Sequence, residues 1–277
     1  MALRINTNTQ SNAAQRSLSE VKRHQSLNLE RLASGQRINK ASDDAAGLAI
    51  SEKLKAHIRG SRQATRNASD GISLIQTAEG GLHEVNNILV RLRELSIQSA
   101  SDTVGDKERA YTDMEFQQLT TEVERIANST RFNDKSLLNG EGETMEFQIG
   151  IYNNADQDRL NYKPQESSVT VSNLGMDGMN VATKGDSQEN LEKIDGAINV
   201  VNTNRAQLGA LQNRMQSTIR NLEVQSENLE SANSRIRDTD IAHESAQLAK
   251  NNILTASSTS VLAQANTSQS GALKLLG

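Results

Sequence analysis

Apolar residues recur at alternating steps of three and four along most of this chain, the spacing that lays side chains on one stripe of an α-helix. In the first arm the stripe runs through Ala14, Leu18 and Val21, passes polar Gln25 and Asn28, and returns at Leu32. It is clearest over Ile75, Ala78, Leu82, Val85, Leu89 and Leu92, and a shorter segment carries Phe116, Leu119, Val123 and Ile126. The second arm reads Leu191, Ile194, Ile198, Val201, Leu208, Leu211, Met215, Ile219, Leu222, Leu229 and Ile236. At about 1.5 Å per residue this last run predicts roughly 70 Å of helix. A helix of that length cannot bury its stripe against itself. Leu82, Val85, Leu89, Leu92, Leu208, Leu211 and Leu222 are therefore expected to pack helix against helix. The polar interruptions Gln25, Asn28 and Arg205 sit where a polar side chain can fix register.

The breaks are as legible as the stripes. Ser34-Gly35-Gln36-Arg37-Ile38-Asn39 ends the first helix, and Ser42 or Asp43 is placed to cap the next. Ser101 to Asp106, with Gly105, separates the second helix from the third. Between about 131 and 185 the period changes. Glu146 to Tyr152 alternates like a strand and stops at Asn153-Asn154, Ser168-Val169-Thr170-Val171 reads as another, and Gly175 and Gly178 mark turns. Near the end, Ile253 to Gln264 predicts a helix rich in Ser, Thr and Ala. The fold class expected is mainly α, with long coiled-coil-like helical arms, a small β-hairpin insert, and paired N- and C-termini.

Composition argues against an ordinary globular core. Hydrophobic residues are 35% of the chain and aromatics 2%, and every aromatic lies between Tyr111 and Tyr162. The only proline is Pro164, so both arms are free to be helical. There is no cysteine, which removes disulfides, thiolate chemistry and Cys-based metal sites. The opening residues lack the apolar core of a secretory signal peptide. No apolar run approaches the roughly 20 residues a membrane helix needs, so no membrane insertion is expected. A formal charge of −4 argues against nucleic-acid binding. That charge is uneven: residues 1–40 hold seven Lys and Arg against Glu20 and Glu30, while residues 245–277 carry only Lys250 and Lys274. A basic head beside an almost uncharged tail fits two ends that pack into an assembly, and it equally fits a pair of frayed tails.

Chemistry finds little foothold. His24, His57, His83 and His243 stand alone, whereas metal binding and general-base work need partners at fixed spacing, so they read as helix-surface side chains. Asp43-Asp44 and Asp238-Thr239-Asp240 raise the possibility of a cation site. Each precedes a helical stretch, where Asp caps free N–H groups and offsets the helix dipole, and capping is the better reading. Gly80-Gly81 follows no strand and precedes no lysine, so it is no phosphate loop, and no nucleophile motif is present. Arg91, Arg93 and Glu94 form a charged face opposite Leu89 and Leu92, expected to be solvated. No cofactor, metal or enzymatic activity is expected.

These residues also carry a resemblance. Ile5-Asn6-Thr7-Asn8, Glu30 to Asn39, Asp43 to Ile50, Arg66 to Ser73 and Arg93 to Ala100 follow one another in the first arm. Leu208 to Arg214, Ala232 to Asp240 and Ser260 to Asn266 follow in the second. Together they resemble the bacterial flagellins over almost the whole chain. The ending, Ser268-Gln269-Ser270 and Lys274 to Gly277, departs from the family pattern.

The resemblance implies a structural subunit that is exported unfolded and polymerises at the tip of an extracellular filament. It implies a terminal inner-tube domain at 1–42 and 236–277, and a helical rod domain at 43–235 with its β insert at about 131–185. With so short a middle, the chain looks like a minimal form without variable outer domains. Leu18, Val21, Leu32, Ile253, Val261 and Leu262 are then expected in inner-tube assembly. Implied partners are further copies of the chain, hook-associated junction and cap proteins, and the export chaperone and export apparatus. Arg91, Leu95 and Glu115 match the family patch recognised by a vertebrate Toll-like receptor, with subunit packing as their primary role. Rival readings are a hook–filament junction protein, a coiled-coil chemoreceptor module that forms soluble dimers, and a helical enzyme.

Overall fold

A computed structural model describes residues 7–274. Six helices and four short strands follow in the order α1 (Thr9–Ser34), α2 (Ala45–Ser99), α3 (Asp106–Ser129), β1 (Arg131–Phe132), β2 (Lys135–Ser136), β3 (Met145–Gln148), α4 (Ala155–Asp158), β4 (Arg159–Tyr162), α5 (Lys184–Arg237) and α6 (Ile241–Lys274). They form two compact units, Met1–Ala56 with Asn228–Gly277, and His57–Glu227. The contact boundaries fall inside α2 and α5, so each of these helices contributes to both units. Ile5-Asn6 of the opening motif and the last three residues of the divergent ending lie outside the described residues.

The middle unit holds the hydrophobic core. Leu82, Val85, Leu89 and Leu92 of α2 are fully buried, with Phe116 and Val123 of α3 and Ile194, Val201 and Met215 of α5. The 3–4 stripes read from the sequence are thus the buried faces of three packed helices. Arg109 secures the turn between the first two. It is buried, and its guanidinium donates to the carbonyls of Ser99 (2.9 Å) and Ser101 (3.0 Å) while pairing with Asp106 (2.9 Å). The Ser99 carbonyl closes α2, where a helix has no internal donors left to satisfy it, and Ser101 lies in the turn that follows.

The β insert differs from expectation in three places. Glu146 to Tyr152 was the expected strand, but β3 stops at Gln148. Beyond it the amides of Ile149 and Gly150 both converge on the Asp158 carbonyl, at 2.8 and 3.1 Å, which ends the ladder. The partner strand is β4, paired antiparallel from Met145↔Tyr162 to Gln148↔Arg159, and not Ser168–Val171. In that segment Ser168 and Val169 are both buried, so its alternating residue types do not mark alternating faces. Its backbone bonds elsewhere: Val169 N–H to the Leu138 carbonyl (2.9 Å) and Val171 N–H to the Glu124 carboxylate (2.9 Å). The third difference is an unforeseen hairpin, β1–β2, whose turn residues Asn133 and Asp134 take φ +48° and +62°. Two consecutive left-handed residues are what a tight two-residue hairpin requires.

The β3–β4 hairpin lies on helices through glycines. A Cβ on Gly71 of α2 would stand 2.9 Å from Met215 Cε and 3.2 Å from Phe147 Cδ1, so glycine lets the three surfaces meet without the methionine end or the ring having to shift. Asn67 of α2 adds a hydrogen bond to the Gln148 carbonyl (3.0 Å).

Candidate assembly site

The unit formed by the two ends is built differently. Asn8 caps α1 by accepting the Ser11 amide (2.9 Å), and Gly35 closes the helix in the left-handed conformation at φ +69°. Asp240 caps α6, accepting the amides of Ala242 (2.9 Å) and His243 (3.1 Å). At the other aspartate pair the cap of α2 is Asp44, which accepts Gly47 N–H (2.8 Å), rather than Ser42 or Asp43. Asp43 instead closes the preceding loop by accepting the amides of Asn39 (3.1 Å) and Lys40 (2.9 Å), which hold its carboxyl below the usual carboxylate range. Helix α6 spans 34 residues rather than the dozen expected, since Ala, Ser and Thr carry it without a marked stripe at either end.

Helices α1 and α6 run antiparallel. Asn8 Nδ2 donates to the Ala265 carbonyl (3.0 Å), Ser11 Oγ to Asn266 Oδ1 (2.8 Å), and Gln25 Nε2 to Asn252 Oδ1 (2.7 Å). Further along, Asn251 Nδ2 reaches Asn28 Oδ1 (3.4 Å), and Arg31 approaches Glu244 (3.8 Å). Among the described residues of the two helices only Asn28, Glu244 and Ala265 are buried. Leu18, Val21, Leu32 and Leu262 are half-buried in the seam, while Ile253 and Val261 are 70% and 56% exposed, Val261 at the edge of an open groove shared with Gln10, Ala13 and Ala14 of α1. Ile241 and Leu254 are exposed with them.

That burial is too little to hold the pair. The two helices have 26 and 34 residues, and ordering each residue costs about 1–2 kcal/mol of backbone entropy. Fully burying one aliphatic side chain returns about 1.5–3 kcal/mol, and no large one is fully buried here. The remaining exposed apolar surface lies on a helix whose described side chains include only Glu244 and Lys250 as charges.

Where each chain end joins its long helix, the two connections clasp. Gln36 and Asp238 form an antiparallel bridge, with Arg37 N–H donating to the Arg237 carbonyl (2.7 Å) and Thr239 N–H to the Gly35 carbonyl (3.0 Å). Arg237 itself donates to Gln36 Oε1 (2.9 Å) and pairs with Glu52. Nothing in the apolar pattern pointed to this clasp; its sequence signal is only the short polar run at each junction.

In the middle unit, Leu82, Val85, Leu89, Leu92, Leu208 and Leu222 are buried and Leu211 packs partly buried against the core. Arg91 of α2 bridges Glu94 (3.0 Å) and Glu115 of α3 (2.8 Å), and both glutamates raise its already high pKa. Leu95 is not on that surface; it lies in the core at 2% exposure. Arg93 pairs with Asp195 (2.7 Å) and Arg205 with Glu79 (3.6 Å), so the polar stripe position at 205 is an inter-helix ion pair. Of the histidines, His24, His83 and His243 are exposed, and His57 meets the Tyr152 ring edge-on at 5.7 Å. Among the described residues no helix is long and apolar enough to cross a membrane.

Two family models match the chain where these helices lie. Residues 5–143 match the bacterial flagellin N-terminal helical region, and residues 191–276 the C-terminal helical region. The chain belongs to the bacterial flagellin family. It is 46% identical over 248 residues to a flagellin of Halalkalibacterium halodurans, covering 90% of each chain. It is 41% identical over 285 residues to flagellin FlaB1 of Treponema pallidum, covering 98% of this chain and 99% of the relative. Among solved structures, Bacillus cereus flagellin is 30% identical with a TM-score of 0.51, covering 61% of this chain and 94% of that one. A flagellar hook-associated protein of Vibrio parahaemolyticus shares the fold at a TM-score of 0.59 and 13% identity, covering 71% of this chain and all of that one.

Proposed function

We propose that the chain is the structural subunit of a bacterial flagellar filament, polymerising with further copies of itself to serve motility, and that it performs no catalysis. The observation that carries this reading is the unfinished burial of the end pair. Helices α1 and α6 leave Ile241, Ile253, Leu254 and Val261 exposed and, among the described residues, bury no large apolar side chain, so neighbouring copies supply what the pair lacks. In this reading residues 1–42 and 236–277 form an inner tube, with Leu18, Val21, Leu32 and Leu262 in the seam and Ile253 and Val261 facing neighbours. Residues 43–235 form the rod around it.

The same weakness of the ends suits export. Arms that cannot repay their ordering entropy alone stay unfolded until neighbours bury them. The chain then leaves the cell through the flagellar export apparatus with a chaperone on its C-terminal segment. It joins the filament outside, between the hook-associated junction proteins and the cap. The Arg91–Glu115 pair serves subunit packing first and offers a surface to a Toll-like receptor second, with Leu95 supporting it from beneath.

Salt-induced assembly of the purified chain, imaged by electron microscopy, tests the proposal. Long, uniform, hollow filaments are the expected result. Persistent monomers or short dimers, even with filament seeds added, would overturn it in favour of a junction protein or a coiled-coil module.

A further inference from the structure

We infer that a polar block in the α1–α6 seam sets the register in which the two ends of the chain pair: Gln25, Asn28 and Arg31 on α1 with Glu244, Asn251 and Asn252 on α6. The inference rests on the reading that this pair forms the inner wall of the polymer. The seam offers little else to specify register. Its apolar members Leu18, Val21, Leu32 and Leu262 are only half-buried, and α6 presents small side chains around Thr255, Ser258 and Ala265. A half-buried leucine slides past Ser and Thr at small cost, since no well-shaped hole holds it.

The polar block does not slide freely. Asn28 is 7% and Glu244 6% exposed, and they are the two buried polar side chains of the pair. Asn28 has Asn251 at 3.4 Å and Glu244 has Arg31 at 3.8 Å, with Gln25 and Asn252 joined beside them at 2.7 Å. Displacing α6 by one heptad so that Ser258 comes opposite Asn28 would carry Asn251 and Asn252 away from their partners and move Glu244 off Arg31, leaving the buried amide and the buried carboxylate without the groups that face them now. An unpaired buried polar group costs far more than its hydrogen bond contributes when made. The block therefore discriminates against wrong registers while adding little to the stability of the right one, as buried polar residues at coiled-coil core positions do. Such a seam suits ends that must find one alignment at each addition without locking together beforehand.

The chain has no cysteine, so engineered pairs report register directly. Ser11→Cys with Asn266→Cys reads the native alignment, because these side chains touch at 2.8 Å. Leu18→Cys with Asn266→Cys reads the slip of one heptad that sets Ser258 opposite Asn28. Both pairs are placed in the full-length chain, oxidised in assembled filaments, and the intrachain disulfide is scored by peptide mass mapping. On the unaltered block, the native disulfide should exceed the slipped one by roughly tenfold or more, the ratio one unpaired buried group produces. With Asn28→Leu and Asn251→Leu the ratio should fall to within about threefold of unity. An unchanged ratio would overturn the inference. If the leucine variant forms no filaments, the Arg31–Glu244 pair decides: Arg31→Glu alone should raise the slipped product and Arg31→Glu with Glu244→Arg restore the native one. Equal ratios in the single and exchanged variants would overturn the inference as well. Failure of the unaltered chain to form filaments is a separate result that counts against the proposed function and not against the register block.

Discussion

Arg37 and Arg237 each hold the other's strand. The amide of Arg37 donates to the carbonyl of Arg237 at 2.7 Å, and its guanidinium reaches the carbonyl of Ile236 at 2.8 Å. Arg237 answers with Gln36 at 2.9 Å and with Glu52. Two connections some two hundred residues apart in sequence are thereby joined at the base of the end pair. Arg37 is exposed, but the Arg237 side chain keeps only 14% of its surface.

Replacing Arg237 by alanine should therefore loosen the clasp while leaving both long helices intact. Removing a mostly buried guanidinium from a carboxylate and an amide costs about 1–3 kcal/mol. The expected outcome is faster hydrogen exchange at the Arg37 and Thr239 amides in filaments and a lower depolymerisation temperature. Unchanged exchange at both amides would mean the backbone bridge stands without the side chain. Arg237→Lys should recover little, because an ammonium cannot serve a planar set of acceptors as the guanidinium does.

Tyr162 gives the middle unit a specific alkaline limit. Its hydroxyl donates to the Leu137 carbonyl at 2.7 Å, and burial pushes its pKa up to about 12, with the Ser167 hydroxyl opposing part of that rise. The folded unit therefore holds the phenol proton more tightly than the unfolded chain, whose tyrosines titrate near about 10. Stability from this group is fully present below pH 10 and lost as pH rises through 12, about 2–3 kcal/mol in all. Tyr162→Phe leaves the Leu137 carbonyl without its partner, at a cost of about 1–2 kcal/mol at neutral pH. Because phenylalanine cannot titrate, the gap between wild type and variant should close between pH 10 and 12 in urea unfolding. A gap that stays constant would show that the phenol is not buried as described.

Neighbouring glycines on α2 should respond in opposite directions. A Cβ on Gly80 would meet nothing within 4 Å, whereas one on Gly81 would stand 2.7 Å from both Leu138 Cδ1 and Thr130 Oγ1. Gly80→Ala should stabilise the free subunit by about 0.5–1 kcal/mol, the usual gain inside a helix. Gly81→Ala should destabilise it by about 1–3 kcal/mol, since Thr130 at the C-cap of α3 and Leu138 must move away. Denaturant midpoints of the two variants decide the point, and both shifting the same way would contradict the packing at Gly81.

The contrast between these sites follows how much the sequence made legible. Helical stripes are readable wherever apolar side chains form a continuous core, so spacing alone puts Leu82 to Leu92 and Leu208 to Leu222 on their faces. The long extension of α6 is not, because Ala, Ser and Thr leave no apolar period to follow. In the Ser168–Val171 segment, alternation of residue type follows neither burial nor strand pairing. Ser168 and Val169 are buried side by side and the Val169 amide pairs with Leu138, so the expected strand there does not exist. Asn133-Asp134 carried a turn signal for β1–β2, but strands of two residues are too short to show a period. Leu95 fell in the core because it continues the stripe of Leu89 and Leu92, a fact available from the spacing alone. The clasp and the polar block rest on pairings between the two ends, which no local pattern encodes.

Removing either end should separate folding from assembly. The middle unit carries the contiguous apolar core, from Ala68 to Met215, and draws none of it from α1 or α6. Among the described residues, the end pair contributes only Asn28, Glu244 and Ala265 as buried residues of its helices. A chain lacking residues 1–40, or one lacking 240–277, should therefore keep the cooperative unfolding transition of the middle unit, with its midpoint shifted by less than about 1 kcal/mol of stability. Neither should extend filament seeds, because each leaves the surviving terminal helix without the partner that positions its exposed apolar face. Circular dichroism melts and seeded growth followed by light scattering read the two properties independently. Long filaments from either truncated chain would rule out the end pair as the assembling element, whereas loss of the melting transition would show that the middle unit depends on the ends after all.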